Sequence, residues 1–237
     1  MARVCMIAYT HYSTDSRVRR EAEALATRGD RVDVICLGGA LPASEAKGVR
    51  VYEPWKLRYR GESRIAYVAQ YGGFFLLAAL LAGWLHLRRR YHVVQVHTMP
   101  DFMVFAAAVP KLLGAKVLLD VHDLTPELYA SKFEAPSDSK LVRLLTWVER
   151  RSIAFADRAI AVHAPHLDAL VEHGSPREKF TVVMNVADPE VVHPPKGPRL
   201  HMTPSGSSIT GRLRGVTASN SHCGRLRMRA TPFPDSN

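Results

Sequence analysis

Residues 92–127 read HVVQVHTMPDFMVFAAAVPKLLGAKVLLDVHDLTPE. Two short β-rich runs, His92–Val96 and Lys116–Val121, are each followed at once by a polar, proline-bearing cluster. The first cluster is His97-Thr98-Met99-Pro100-Asp101 and the second is His122-Asp123-Leu124-Thr125-Pro126-Glu127, with an apolar helical stretch between the two strands. The same rhythm extends in both directions. Val4–Tyr9, Val32–Leu37 and Val49–Tyr52 precede it, and Ala159–Val162 and Phe180–Met184 follow it. Strands that alternate with helices predict an α/β protein, a Rossmann-like parallel sheet flanked by helices. The first helix is the best defined: Ser13 or Asp15 can cap SRVRREAEALATRG, Gly29 can end it, and Val18, Ala22, Leu25 and Ala26 fall on one stripe.

Polar clusters follow nearly every strand, including Thr10–Asp15 after the first, His163-Ala164-Pro165-His166 after the sixth and Asn185-Val186-Ala187-Asp188 after the last. In open parallel sheets ligands bind in the crevice outside the strand carboxyl ends, so these clusters line one edge and mark a site. Any one of them also reads as helix capping. No G-x-G-x-x-G follows the first strand, which argues against a nicotinamide or flavin enzyme; a Walker A lysine loop and a G-x-S-x-G elbow are likewise missing.

The 237 residues are 47% hydrophobic and 23% charged, the composition of an ordinary globular protein. Their net charge of +10 is unevenly spread: residues 1–195 hold 25 Lys+Arg against 21 Asp+Glu, and residues 196–237 hold 7 against 1. No aromatic residues interleave with the arginines of the last segment, so no nucleic-acid partner is expected. Cys5 and Cys36 lie in apolar runs and, with Cys223, form no C-x-x-C pair; a reducing compartment fits. The N-terminal run reads as a buried strand rather than a secretory signal, and the expected location is cytoplasmic.

Residues 65–87, IAYVAQYGGFFLLAALLAGWLHL, are flanked by Arg58, Arg60 and Arg64 before and by Arg88, Arg89 and Arg90 after. The stretch is long enough for a hydrocarbon core of roughly 30 Å. A span would put the first three strands and the last four on opposite sides of a membrane. The readings that keep the sheet whole are a helix packed on it or one at the membrane interface, basic flanks on anionic headgroups, which makes the protein peripheral to the inner membrane face.

Taken together, DSRVRREAEALATRGDRVDVI, VHTMPDF, LLDVHDLTPELY and FADRAIAVHAPH through VVMNVAD resemble the N-terminal domain of GT-B-fold, family-four retaining glycosyltransferases, over about residues 2–194. The resemblance implies two Rossmann-like domains closing over a cleft. A sugar passes from a nucleotide-sugar, the co-substrate, to an acceptor, a glycan or lipid-linked saccharide, and the C-terminal domain holds most of the donor. It also implies that no metal is needed; the His163, His166 pair lacks a third ligand. Carried over by position, His122 looks like the active-site histidine, with Asp123 orienting it or accepting a sugar hydroxyl. Asp15, His97 and Asp101 look like acceptor-side residues. Arg17 and Arg20 either meet acceptor phosphate or pair with Glu21 and Glu23, and Glu127 is a helix cap or a hydroxyl acceptor.

This reading divides the chain into an acceptor-side domain, 1–195, and a tail, 196–237, which holds only 11 apolar residues in 42 and reads as disordered. Ile209-Thr210-Gly211-Arg212-Leu213-Arg214 stands where the family has a string resembling YHGTVT. A one-base slip relates the two: TAT CAC GGG ACG GTT ACG read from its second base gives ITGRLR. The tail is therefore expected to be a frameshift product, and the domain alone to be inactive for lack of a donor-binding half. The alternative is a stand-alone membrane and acceptor module serving a separate donor-binding subunit; a sugar-nucleotide epimerase of the same fold is a third reading. The nucleotide sequence from codon 190 onward decides: an E-x7-E donor motif downstream in another frame supports the slip, and an intact reading with no such domain overturns it.

Overall fold

The computed structural model describes residues 1–38, 48–55, 64–136 and 138–185. The predicted tail, its boundary near residue 195 and the flanking Arg58 and Arg60 lie outside the described residues. Seven strands are present: β1 (Arg3–His11), β2 (Arg31–Leu37), β3 (Val49–Trp55), β4 (Val93–His97), β5 (Lys116–Val121), β6 (Arg158–Ala161) and β7 (Phe180–Val182). They form one sheet in the order β3-β2-β1-β4-β5-β6-β7, and every pairing is parallel. The expected α/β class and all seven strand positions hold. The last strand is shorter than its β-rich sequence, and β3 at the other edge is longer than its own, running on to Trp55.

The chain starts in the middle of the sheet, runs outward through β2 and β3, then returns to the far side of β1 to build β4 through β7. The reversal between β1 and β4 is a topological switch point, where a doubly wound sheet opens a crevice at its carboxyl edge. Side chains alternate between faces. Cys5, Ile7, Ile35, Leu37, Val94, Val96, Val117, Leu119 and Val121 share one apolar cluster, whereas Val4, Met6, Ala8, Val32, Val34 and Cys36 share the other. Both Cys5 and Cys36 are free, buried thiols, and burial pushes Cys36 up to about 12.

Helix α1 (Ser16–Thr27) covers the second face with Val18 and Ala22. Of the two proposed caps Asp15 does the work: its Oδ1 accepts from the backbone N–H of Arg17 at 3.1 Å and of Val18 at 3.3 Å. Gly29 at φ +92° ends the helix, a left-handed conformation that costs a residue with a Cβ. Helix α2 (Arg64–Arg89) returns the chain from β3 to β4 across the other face. Phe74, Ala78, Ala82 and Leu85 are its fully buried contacts, and the Trp55 ring lies so near Gly73 that a Cβ there would sit 2.8 Å from it.

A 3-10 turn (Asp101–Ala107), α3 (Ala108–Leu112), α4 (Thr125–Lys132), α5 (Lys140–Phe155) and α6 (Ala164–Glu172) complete the fold. Ala69–Arg89 is long and apolar enough to cross a membrane by length and composition. Packed as it is, this helix supplies the centre of the larger core. Phe74→Ala is expected to cost about 3–5 kcal/mol, whereas Leu80→Ser on the outer side of the same helix is expected to fall within about 0.5 kcal/mol. Chemical denaturation of the two variants checks the contrast.

Candidate functional site

Strand β4 ends in Gln95-Val96-His97, and β5 ends in Asp120-Val121 with His122 directly after it. Period two puts each pair of polar residues on the same side of its strand, away from the apolar cluster that holds Val96 and Val121. The parallel register sets His97 beside Asp120. Three polar side chains therefore converge at the carboxyl edge: His97 Nδ1 lies 3.1 Å from Asp120 Oδ2 and 3.1 Å from His122 Nε2, and the two imidazoles stack with centroids 5.3 Å apart.

All three groups are buried. Burial alone would push the Asp120 carboxyl up, but the hydrogen bond from His97 and the charges of His97, His122 and Arg17 outweigh it and hold Asp120 below its ordinary value. Gln95 Nε2 donates to the same Asp120 oxygen at 3.5 Å, and a proton on His97 Nδ1 would face it as well. His122 Nε2 is 3.6 Å from Asp120, too far for a hydrogen bond, and shares a hydrogen bond with His97 Nδ1. Among the described residues His122 Nδ1 has no hydrogen-bond partner. Burial, with the nearby charges of His97 and Arg17, drives His122 down to about 4, against the raising effect of Asp120 and Asp15, so the ring is neutral at physiological pH. Its backbone N–H is held by Thr98 Oγ1 at 3.0 Å. The result is an oriented, uncharged imidazole.

The surroundings mix polar and apolar groups, Leu124, Leu128 and Val162 among them. Gln95 Nε2 donates to Glu21 Oε2 at 2.6 Å, which ties α1 to β4. His122 and Asp123 line a hollow of about 510 Å³ with Glu127, Ser131 and His163 among its walls. Asp101 is buried, and burial together with the charge of Asp123 pushes its carboxyl up to about 6, with the Thr125 hydroxyl opposing.

The sequence-predicted residues separate into groups. His97 and His122 meet directly, and Asp15 and Arg17 are close enough for their charges to act on His122. Asp15 spends one carboxylate oxygen on the helix cap. Arg20 donates to Asn185 Oδ1 at 2.7 Å, while Glu21 takes Gln95 and Glu23 takes Arg19 at 3.8 Å. Asp123 is exposed on the rim beside His122, and Asp120 is the carboxylate that orients the imidazoles. Glu127 neither caps α4, whose N-cap is Leu124, nor stands alone: it pairs with His173 Nε2 at 2.7 Å. His163 caps α6 by accepting from the His166 N–H at 3.0 Å. Asp120 and Gln95 escaped the motif reading, while Thr98 stands in the first polar cluster and Glu21 is there an expected arginine partner. The signal that reveals the first two is the polar-apolar-polar ending of two adjacent strands.

Among the described residues two side-chain groups place ligand-type atoms within 4.8 Å of one another: His97, Asp120 and His122, and Glu127, Glu149 and His173. The first is the strand-end cluster described above. In the second, His173 bridges two carboxylates, each at 2.7 Å, and joins α4, α5 and the end of α6.

A glycosyl transferase 4-like domain model matches residues 14–186. The chain belongs to this family. Among solved structures it is similar to the Anabaena protein HepE in complex with UDP and glucose, at 14% identity with a TM-score of 0.52 over 81% of this chain and 46% of that one. It is also similar to sucrose-phosphate synthase from Thermosynechococcus elongatus, at 15% identity and TM-score 0.56 over 82% of this chain and 50% of that one. The lipopolysaccharide outer core galactosyltransferase WaaB aligns at 8% identity and TM-score 0.51 over 78% and 46%. No curated protein sequence matches. The chain thus spans about half the length of these GT-B glycosyltransferases and has the fold of their N-terminal domain.

Two pH responses follow. His122 is expected to stay neutral down to about pH 4, and its imidazole resonances in NMR titration check this. Burial raises Glu149 to about 7, while Glu149 and Glu127 outweigh burial to raise His173. A raised histidine stabilises the fold below its unfolded value and loses that contribution as pH rises through the folded one. A raised carboxyl behaves in the same sense. Thermal stability is therefore expected to fall as pH rises from about 4.5, the ordinary carboxyl value, through about 7, and to go on falling as His173 titrates above its ordinary 6.5, and Glu149→Gln to flatten the fall.

Proposed function

We propose that this domain is the acceptor-side wall of a sugar-transfer cleft, receiving a glycan or lipid-linked saccharide while a nucleotide-sugar is held by a donor-binding partner domain. The observation that carries the reading is the buried Asp120–His97–His122 cluster at the carboxyl edge of a glycosyltransferase-family sheet, in which His122 Nδ1 has no hydrogen-bond partner among the described residues; with its proton on that nitrogen the ring is a donor.

In this reading His122 donates to an oxygen of the transferring sugar or of the acceptor. Because the ring is neutral it can polarise that oxygen without a proton transfer of its own. Asp120 and His97 act through His122 by holding its tautomer and ring plane. Asp123 accepts a sugar hydroxyl at the rim, Asp101 and the free side of Asp15 address the acceptor, and Arg17 meets its phosphate. Arg20 and Glu127, engaged with Asn185 and His173, shape the walls rather than touch substrate. Stabilisation of the departing diphosphate falls to cationic groups of the donor-binding half, whether on the same polypeptide or on a separate subunit, and no metal enters the scheme. The free buried thiols of Cys5 and Cys36 support a cytoplasmic setting.

Joined to or mixed with a donor-binding domain, the wild-type chain is expected to transfer sugar in a radiolabelled nucleotide-sugar assay, and the chain alone to give no turnover above background. His122→Ala is expected to lower kcat by about 100-fold or more, and Asp120→Asn to lower kcat with little change in KM. Transfer by the isolated chain, or an unaffected His122→Ala enzyme, contradicts the reading.

A further inference from the structure

We propose that the outer face of α2 and α3, together with an arginine-lined hollow at the amino end of the sheet, is a docking surface for an anionic lipid bilayer. The inference rests on this surface alone and is independent of the acceptor reading.

The apolar half of the surface comes from α2. Leu76, Leu80, Trp84 and Leu87 are 60%, 71%, 47% and 56% exposed, and their spacing puts them on one stripe. Gly83 lets Val109 approach α2, where a Cβ would meet the valine at 3.3 Å, and this brings α3 alongside. Val109, Leu112 and Leu113 add further exposed apolar side chains, Leu112 at 85%. A contiguous strip of this kind on a folded domain marks a contact surface rather than ordinary scatter.

The charged half adjoins it. The Arg88 guanidinium lies 3.8 Å from the centroid of the Trp84 ring. From there a hollow of about 440 Å³ opens, lined by Arg3, Arg31, Arg50, Arg88 and Arg89 around Asp33 and Tyr91. Among the described residues of this lining Asp33 is the only acid; Arg89 pairs with it and the Tyr91 hydroxyl donates to it. Arg3 is fixed by bonds to Arg90 O at 2.8 Å and to His92 at 2.9 Å. The hollow thus keeps a strong positive excess. It lies at the amino ends of β1 and β2, whereas His122 lies at the carboxyl end of β5, so the two sites are distinct.

A phosphate-rich ligand answers to the arginines, but a polyanion in water leaves the leucine strip uncovered. A bilayer offers phosphates and hydrocarbon within one headgroup depth, and an arginine-tryptophan pair at the boundary suits that gradient. Charge complementarity and the adjoining apolar strip together commit the surface to an anionic membrane.

The test floats the full chain with vesicles of phosphatidylcholine containing phosphatidylglycerol, and with phosphatidylcholine alone. The chain is expected to rise with the anionic vesicles at low salt, to be released by high salt or alkaline carbonate, and to stay behind with the neutral ones. Leu76→Glu/Leu80→Glu and Arg31→Glu/Arg50→Glu are each expected to cut binding at least about tenfold, with circular dichroism and thermal melts unchanged because all four positions are exposed. Equal flotation with neutral vesicles, no flotation, or retention in carbonate overturns the proposal. So does protection of the hollow by inorganic phosphate, or binding of a short duplex RNA, in the absence of vesicle binding.

Discussion

The carboxylate of Asp120 is removed from water and must find its hydrogen bond inside the protein, and the parallel register of β4 with β5 is what supplies it. His97 stands opposite because the strands pair without a bulge, and His122 joins them because two residues along a strand return to the same face. A slip of one residue would turn Gln95, His97, Asp120 and His122 into the apolar cluster and send Val94, Val96, Val117 and Val121 the other way. Hydrophobic burial on one face thereby enforces the geometry of the polar group on the other. The site is as rigid as the core that fixes the register.

That dependence explains what the sequence made legible. Strand identity follows from local composition, so all seven strands and the Asp15 cap could be read from residues alone. His97 and His122 stood out because each opens a polar cluster at a strand end. Asp120 did not, since inside the run LLDVHD it looks like one polar residue in a strand until its neighbour's register is known. Arg20 and Glu127 show the opposite limit. Their partners, Asn185 and His173, are far along the chain, and no local pattern records such a contact.

The two edges of the sheet differ in electrostatic character. At the carboxyl edge Asp15, Asp120 and Asp123 lie near His122, and burial decides the charge states there: it raises Asp101, with Asp123 adding to it, and keeps His122 neutral against the pull of Asp120 and Asp15. At the amino edge arginines dominate, with Asp33 neutralised among them. A chain segment whose 25 basic and 21 acidic residues look nearly balanced thus gathers, among the described residues, a knot of acids at one edge and of arginines at the other. Net charge cannot reveal this, because the polarity arises from which end of each strand a residue occupies.

Helix α2 carries the sharpest ambiguity in the chain, and its geometry accounts for it. The buried residues Phe74, Ala78, Ala82 and Leu85 and the exposed residues Leu76, Leu80, Trp84 and Leu87 follow the same spacing, displaced by two positions. At about 100° per residue a two-residue displacement puts the second set on nearly the opposite side of the helix. Two apolar stripes on opposite sides cancel as an amphipathic signal and add as hydropathy, so the segment imitates a membrane span. Size separates the stripes: the sheet-facing set includes two alanines, which allow close approach to the strands, whereas the outer set consists of three leucines and a tryptophan. A helix that had only to cover the sheet would need the first stripe alone; the second is large, unburied and continuous with the arginines, and the packing of this domain gives it no role.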